Sequence, residues 1–301
     1  MLYASVRDKP YPYFKIDTLV HEAIRAGFRG IDSAANPKLY DEPKVGFGVR
    51  KAIAEGLVTR EDLFLQSKFM GMKHQDPNRV PYNPKLGLTD RVYQSIKSSL
   101  HDLRPGFPAK SSPLDSYIDM FILEAQPNDL NQTVQAWEMM ETFWPLKIRH
   151  LGIANVNVDF LRSLCERVRV QPSLVQNRFG EGMKYDSAVR TFCASQQMVY
   201  QACDLHVHNS ELLEWGVVRR LAEKAGISTS LALNGLVMGL EGVTVVNANY
   251  TAETLGEDVA FFQKMAQFTE KCPREWSTMK DEFGEMIGLL AQDSLWLPAR
   301  A

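Results

Sequence analysis

Short, nearly continuous apolar runs alternate with longer stretches of helical period along most of this chain, and that alternation constrains the fold more than any other feature. Seven runs read as strands: 28–32, 63–68, 117–124, 148–155, 173–177, 198–203 and 243–247. Each is β-branched or apolar with little polar interruption, the composition of strands buried on both faces. Between them, 17–26, 44–55, 89–103, 130–143, 158–167, 186–194, 211–225 and 251–263 place apolar residues three and four apart, as amphipathic helices do. Asp17, Thr89, Asp186 and Thr251 stand where helix amino-terminal caps or first-turn residues belong. A β-α unit repeated seven or eight times over roughly 250 residues is what a (β/α)8 barrel requires, whereas a doubly wound sheet usually stops at about five or six strands. The spacing therefore predicts an α/β chain folded as a single-domain TIM barrel over 1–270. A tail of weak periodicity, 271–301, is expected to pack on the barrel through groups such as Trp276, Met286 and Leu295.

Composition narrows the function classes. The 34 basic and 36 acidic side chains are interspersed, and the formal net charge is -2, so no basic stripe exists to collect phosphates from a nucleic acid. The first nine residues lack the apolar centre of a signal peptide, and no run approaches the ~18 apolar residues needed to cross a membrane. These features predict a cytoplasmic protein with no membrane partner, present as a monomer or weak homodimer. Cys165, Cys193, Cys203 and Cys272 are far apart and form no C-x-x-C pair, which predicts reduced thiols rather than a disulfide framework or a structural zinc site. No G-x-G-x-x-G follows any strand, so a Rossmann pyrophosphate turn is absent.

In a barrel, polar residues at the carboxyl ends of different strands converge on one mouth. Here the strand ends carry Asp32, Lys68, Glu124, Asn155 and Asn177, and Tyr40 hangs from the loop after Asp32. A Lys beside a Tyr favours phenolate, and an Asp paired with the Lys holds the ammonium in place, so this trio predicts Tyr40 as a general acid. The segment 72–88, rich in Pro, Asn and Asp, reads as a long loop of the kind that covers substrate. Phe69, Phe179 and His206 are expected to line the substrate pocket. His206 and His208 alternate in a way that could hold a metal with Cys203 or Asp204, but no second cluster supports them, and no metal is expected.

Five segments carry a resemblance: Gly-Phe-Arg-Gly-Ile-Asp-Ser-Ala (27–34), Leu-Tyr-Asp-Glu-Pro-Lys-Val-Gly (39–46), Leu-Phe-Leu-Gln-Ser-Lys-Phe (63–69), Tyr-Ile-Asp-Met-Phe-Ile-Leu (117–123) and Ile-Arg-His-Leu-Gly-Ile-Ala-Asn (148–155). In order and spacing they resemble the aldo-keto reductase superfamily, from about Leu19 to Phe261. They particularly resemble a fungal-type branch in which three extra residues separate the Asp from the Tyr and Val-Gln-Asn-Arg-Phe forms a strand. The resemblance implies a TIM barrel that binds NADP(H) across its carboxyl-terminal mouth and reduces a carbonyl with an Asp, Tyr, Lys and His tetrad. Asp32, Tyr40 and Lys68 match three members, and Glu124 stands at the fourth, where the family has His.

In an apolar pocket beside other acids, Glu124 would remain protonated and donate a hydrogen bond to a substrate oxygen, similar to the arrangement of steroid 5β-reductases. The cofactor side departs further from the family pattern. Ala4-Ser5 replaces a glycine-threonine pair, Ala154 replaces a serine, Cys203 stands at the nicotinamide-stacking position, and Gly256 stands where this branch has Arg. Asn155 and Asn177 remain as carboxamide partners, with Asn247 in the phosphate-gripping segment. The expected function is NADP(H)-dependent reduction of an apolar ketone or conjugated enone in a secondary-metabolite pathway. The alternative is a redox-inactive isomerase or cyclase using Tyr40 and Glu124 as acid-base groups.

Overall fold

Eight parallel strands close on one another in chain order. They are β1 (Leu2–Ala4), β2 (Gly30–Asp32), β3 (Phe64–Phe69), β4 (Ile118–Glu124), β5 (Ile148–Ala154), β6 (Leu174–Arg178), β7 (Val199–Cys203) and β8 (Val243–Ala248). The helices are α1 (Ile16–Ala26), α2 (Glu42–Ala54), α3 (Leu88–Asp102), α4 (Leu130–Glu141), α5 (Val158–Cys165), α6 (Ser187–Ser195), α7 (Gly216–Ala225), α8 (Thr229–Met238), α9 (Ala252–Lys271) and α10 (Pro273–Met286). This is the (β/α)8 barrel that the alternation predicts. The computed structural model describes residues 1–4, 16–106, 116–125, 129–207, 209–248 and 252–288. Ser5, His208, Thr251 and the tail beyond residue 288, with Leu295, lie outside the described residues.

All seven strands read from the sequence are present, and most of their residues are buried, with Arg149 and His150 of β5 and Val199 of β7 exposed. β1 is the addition, three residues that pair Tyr3 with Ile31 of β2 and with Asn247 of β8. Two helices were not foreseen. In α8 every residue from Leu231 to Val237 is buried, so no polar face marks its period. α10 buries only Met279, Phe283 and Gly284. Asp17 and Thr89 stand in the first turns of α1 and α3 and Asp186 at the N-cap of α6, as expected, while Asp129, Asn157 and Ser228, not foreseen as caps, accept the backbone N–H three residues on and start α4, α5 and α8.

By their contacts the residues fall into two units, Met1–Ser173 with Val246–Leu255, and Leu174–Val245 with Gly256–Ala301. In the first, Ile31, Leu65, Phe121, Ile122 and Ile153 are buried strand residues, and Trp137 of α4 is fully covered while its indole donates to the Val170 carbonyl at 2.9 Å. Helices α2 and α3 meet where Gly46 faces the end of α3. A Cβ on Gly46 would sit 1.8 Å from the Asp102 carbonyl oxygen, which already accepts from Arg50 at 2.7 Å. Gly46→Ala should therefore lower the free energy of unfolding by about 1–3 kcal/mol or more through forced separation of these helices. Gly256→Ala, on α9 where a Cβ meets nothing within 4 Å, should raise it by up to about 1 kcal/mol through helix propensity. Urea midpoints of the two variants check the contrast.

In the second unit the rings of Phe179, Tyr185, Trp215 and Phe283 follow one another at 5.4, 6.4 and 6.2 Å, tying the loop after β6 to α10. Salt bridges from Arg220 to Glu282 and from Lys224 to Glu275 fasten α10 to α7.

Candidate active site

Asp32 ends β2 fully buried, directly across the ladder from Gln66 of β3. Two residues on, Lys68 brings its ammonium to the same carboxylate, 2.7 Å from Oδ1 and 2.6 Å from Oδ2, and the Gln66 amide donates to Oδ1 at 2.6 Å. Alternate residues of a strand share a face, so β3 presents both donors to one acid. Burial works against the Lys68 charge, but Asp32 and a hydrogen bond with the Tyr40 phenol outweigh it, and the ammonium is held above its ordinary range. Its Nζ lies 5.0 Å from the Tyr40 ring centroid. A permanent cation on a phenol stabilises the phenolate, which is what proton donation by Tyr40 leaves behind.

Tyr40 is half-buried, and its loop is held by a buried residue, Asn36. The Asn36 side chain accepts from the N–H groups of Lys38 and Leu39, and its carbonyl accepts from Tyr40 N at 2.8 Å. The same side chain donates to the carbonyl of His74 at 3.0 Å, which binds this loop to the one after β3. Gln75 adds bonds to the carbonyls of Ala35 and Met70.

Glu124 closes β4 with its side chain 12% exposed. Its surroundings differ from the apolar, acid-lined pocket expected from the sequence. One oxygen accepts from Gly71 N at 2.8 Å, and the other lies 3.3 Å from His74 Nε2 and 3.5 Å from the Asn155 amide. Donors therefore surround this carboxyl group. His74 had no signal in the sequence, since it sits in an aperiodic loop and meets Glu124 only through the fold.

Glu42 also acquires partners the sequence does not reveal. It opens α2 two residues after Tyr40, is 3% exposed, and accepts from the hydroxyls of Ser67 at 2.5 Å and Ser99 at 2.8 Å. Burial pushes its carboxyl group up to about 7, against the pull of the two hydroxyls.

The remaining sequence candidates are placed as follows. Asn155 follows β5 with a left-handed backbone, φ 61, and an exposed side chain. Asn247 is largely buried in β8, and Phe69 is fully buried against Tyr82 at 5.4 Å. In the second unit, Asn177 donates to Asp186 at 2.7 Å, which explains why Asp186 does not cap α6 with its side chain. Cys203 is half-buried at the end of β7. Phe179 is fully buried, and its carbonyl accepts from Asn209 at 2.6 Å. Burial lowers the His206 imidazole below its ordinary value, opposed by a hydrogen bond with Asn234. Among the described residues no three His, Cys, Asp or Glu side chains gather as a metal site, and no helix is long and apolar enough to cross a membrane.

No family model matches the chain. It is 30% identical to an aldo-keto reductase of Bombyx mori over 161 residues, 52% of this chain and 46% of that one. Over 259 residues it is 25% identical to an NAD(P)H-dependent 6'-deoxychalcone synthase of Glycine max, covering 80% and 75% of the two chains. The first match means that this chain spans about half the length of that relative. The crystal structure of the Bombyx mori aldo-keto reductase in complex with NADP superposes with a TM-score of 0.66 at 21% identity, over 90% of this chain and 88% of that one.

Proposed function

We propose that this chain is a member of the aldo-keto reductase superfamily and an NADP(H)-dependent oxidoreductase that reduces an apolar ketone or conjugated enone. The observation that carries the reading is the buried Lys68 ammonium, bonded to both oxygens of Asp32 and to the phenol of Tyr40. Tyr40 gives its proton to the substrate oxygen, Lys68 holds the phenolate, and Asp32 keeps the ammonium in place. The nicotinamide supplies the hydride when bound. Of the residues assigned to hold the cofactor, Asn155 of the first unit has an exposed carboxamide that suits the nicotinamide amide. In 251–259 no Lys or Arg is present to grip a 2'-phosphate, Gly256 adjoins open space, and Glu257 is exposed. An anion there meets no guanidinium fork. NADH is accordingly accepted alongside NADPH.

Half-buried Met70 and Met72 flank Gly71, whose N–H meets Glu124, and give this side of the site an apolar surface. Such a surface favours an apolar ketone or enone of the kind found in secondary metabolism. Titration with NADPH and NADH, followed by tryptophan quenching, should show both binding, and no binding at millimolar levels would sink the reading. Tyr40→Phe should keep cofactor affinity and lose about 100- to 10,000-fold in kcat. Product formed without cofactor and without mass change would instead support an isomerase or cyclase using Tyr40 and Glu124.

A further inference from the structure

We propose that Glu42 is a positioning residue for proton donation: as a neutral acid it closes a ring with Ser67 and Ser99 that sets Tyr40 against Lys68, and its ionisation opens that ring. The proposal rests on the reductase reading and adds a residue to the same site. Three oxygen contacts make the ring, Glu42 Oε1 to Ser67 Oγ at 2.5 Å, Ser67 Oγ to Ser99 Oγ at 2.9 Å, and Ser99 Oγ to Glu42 Oε2 at 2.8 Å. All three side chains are buried. A carboxylate that accepts from both hydroxyls uses both of their hydrogens, and the contact between Ser67 and Ser99 is left with none. A proton on Oε1 supplies the missing one: Glu42 donates to Ser67, Ser67 to Ser99, and Ser99 to Oε2. In a buried network, a contact without its hydrogen is costly, so the geometry favours the neutral acid.

The ring joins the segments that carry the proton donor and its cation. Tyr40 N donates to the Asn36 carbonyl at 2.8 Å, which anchors the phenol from the amino-terminal side, and Glu42, the first residue of α2, anchors it from the other. Ser67 precedes Lys68 on β3. Alternate strand residues face opposite ways, so Ser67 meets the two helices while Lys68 meets Asp32. Ser99 lies one turn before the end of α3, where Gly46 brings α2 close to the Asp102 carbonyl oxygen. The groups that act on Glu42 are Ser99 and Asp102 from α3, Ser67 from β3 and Ser33 from the loop after β2, while Arg50 of α2 bonds the Asp102 carbonyl at 2.7 Å. Burial keeps the acid neutral up to about pH 7, so the ring is closed below that pH and open above it.

Nuclear magnetic resonance of protein carrying 13C-tyrosine tests this, alongside turnover of cyclohex-2-en-1-one with NADPH. As pH rises, the Tyr40 ring resonance should move with a midpoint near 7, and kcat should fall about 10- to 100-fold through the same step, the cost of a misplaced donor. Glu42→Gln, whose amide donates to Ser67 and whose oxygen accepts from Ser99, should keep the ring closed and flatten both profiles. Ser99→Ala should open the ring at every pH and hold the resonance and kcat at their alkaline level throughout. The KM for NADPH should stay the same in both variants. A parent without the Tyr40 step, or a step that persists in Glu42→Gln, overturns the proposal and leaves the reductase reading standing. If the resonance behaves as expected while NADPH neither binds nor supports turnover, the reductase reading falls and the coupling of Glu42 to Tyr40 stands.

Discussion

Lys68→Met should unfold about 3–5 kcal/mol more easily than the parent, because it leaves the Asp32 carboxylate buried with only Gln66 to answer it. Activity should fall in the same variant by about 1,000-fold or more, since the phenolate of Tyr40 loses the cation that stabilises it. A single substitution cannot separate these effects. Asp32→Asn combined with Lys68→Met can, because a neutral amide beside Gln66 removes the stranded charge without restoring an ammonium. Replacing both members of a buried pair by groups of similar shape is often close to neutral for stability. The double variant should therefore recover most of the lost stability, read from urea unfolding, and none of the lost turnover. Parental activity in the double variant would show the ion pair to be structural and would end the assignment of Tyr40 as an acid tuned by Lys68.

The strands were legible because most of their residues are buried, as in the nearly continuous burial of β4, and the same property hid α8, whose continuous burial from Leu231 to Val237 erases the helical period. β1 is too short, at three residues, to rise above chance composition. In the site, Asp32 and Lys68 were readable as polar breaks at the ends of apolar runs, and the geometry joins them through adjacent strands. What the sequence lacked was contact between residues far apart along the chain. His74 meets Glu124 across 50 positions, Asn36 reaches His74 across 38, and Glu42 reaches Ser67 and Ser99 across 25 and 57. Nothing in a loop's composition announces such partners. The setting of Glu124 differs from the apolar, acid-lined one expected for this reason: the donors that surround it come from the loop after β3 and from beyond β5.

Glu42→Gln is expected to change the pH dependence of stability more than any other conservative substitution in this unit. Burial raises the Glu42 carboxyl group from its ordinary value of 4.5 to about 7, with the Asp102 carboxylate adding to the rise and the hydroxyls of Ser67, Ser99 and Ser33 opposing it. Between those two values the folded chain holds a proton that the unfolded chain has released, so stability falls as pH rises through this window. The full penalty, roughly 3 kcal/mol, is present above about pH 7 and absent below about pH 4.5. Glutamine fills the same space, donates and accepts within the Ser67–Ser99 pair, and has no proton to lose. Relative to the parent, the variant should therefore gain stability between pH 5 and pH 8.5, by up to roughly 3 kcal/mol, in urea unfolding at matched ionic strength. Ser67 precedes Lys68 on β3, and Glu42 follows Tyr40 by two residues, so ionisation at this junction also loads the segments that carry the proton donor and its cation. An identical pH slope in parent and variant would show that Glu42 releases its proton in the folded chain as it does in the unfolded one, without a burial penalty, and its link to the Tyr40 loop would then be packing alone.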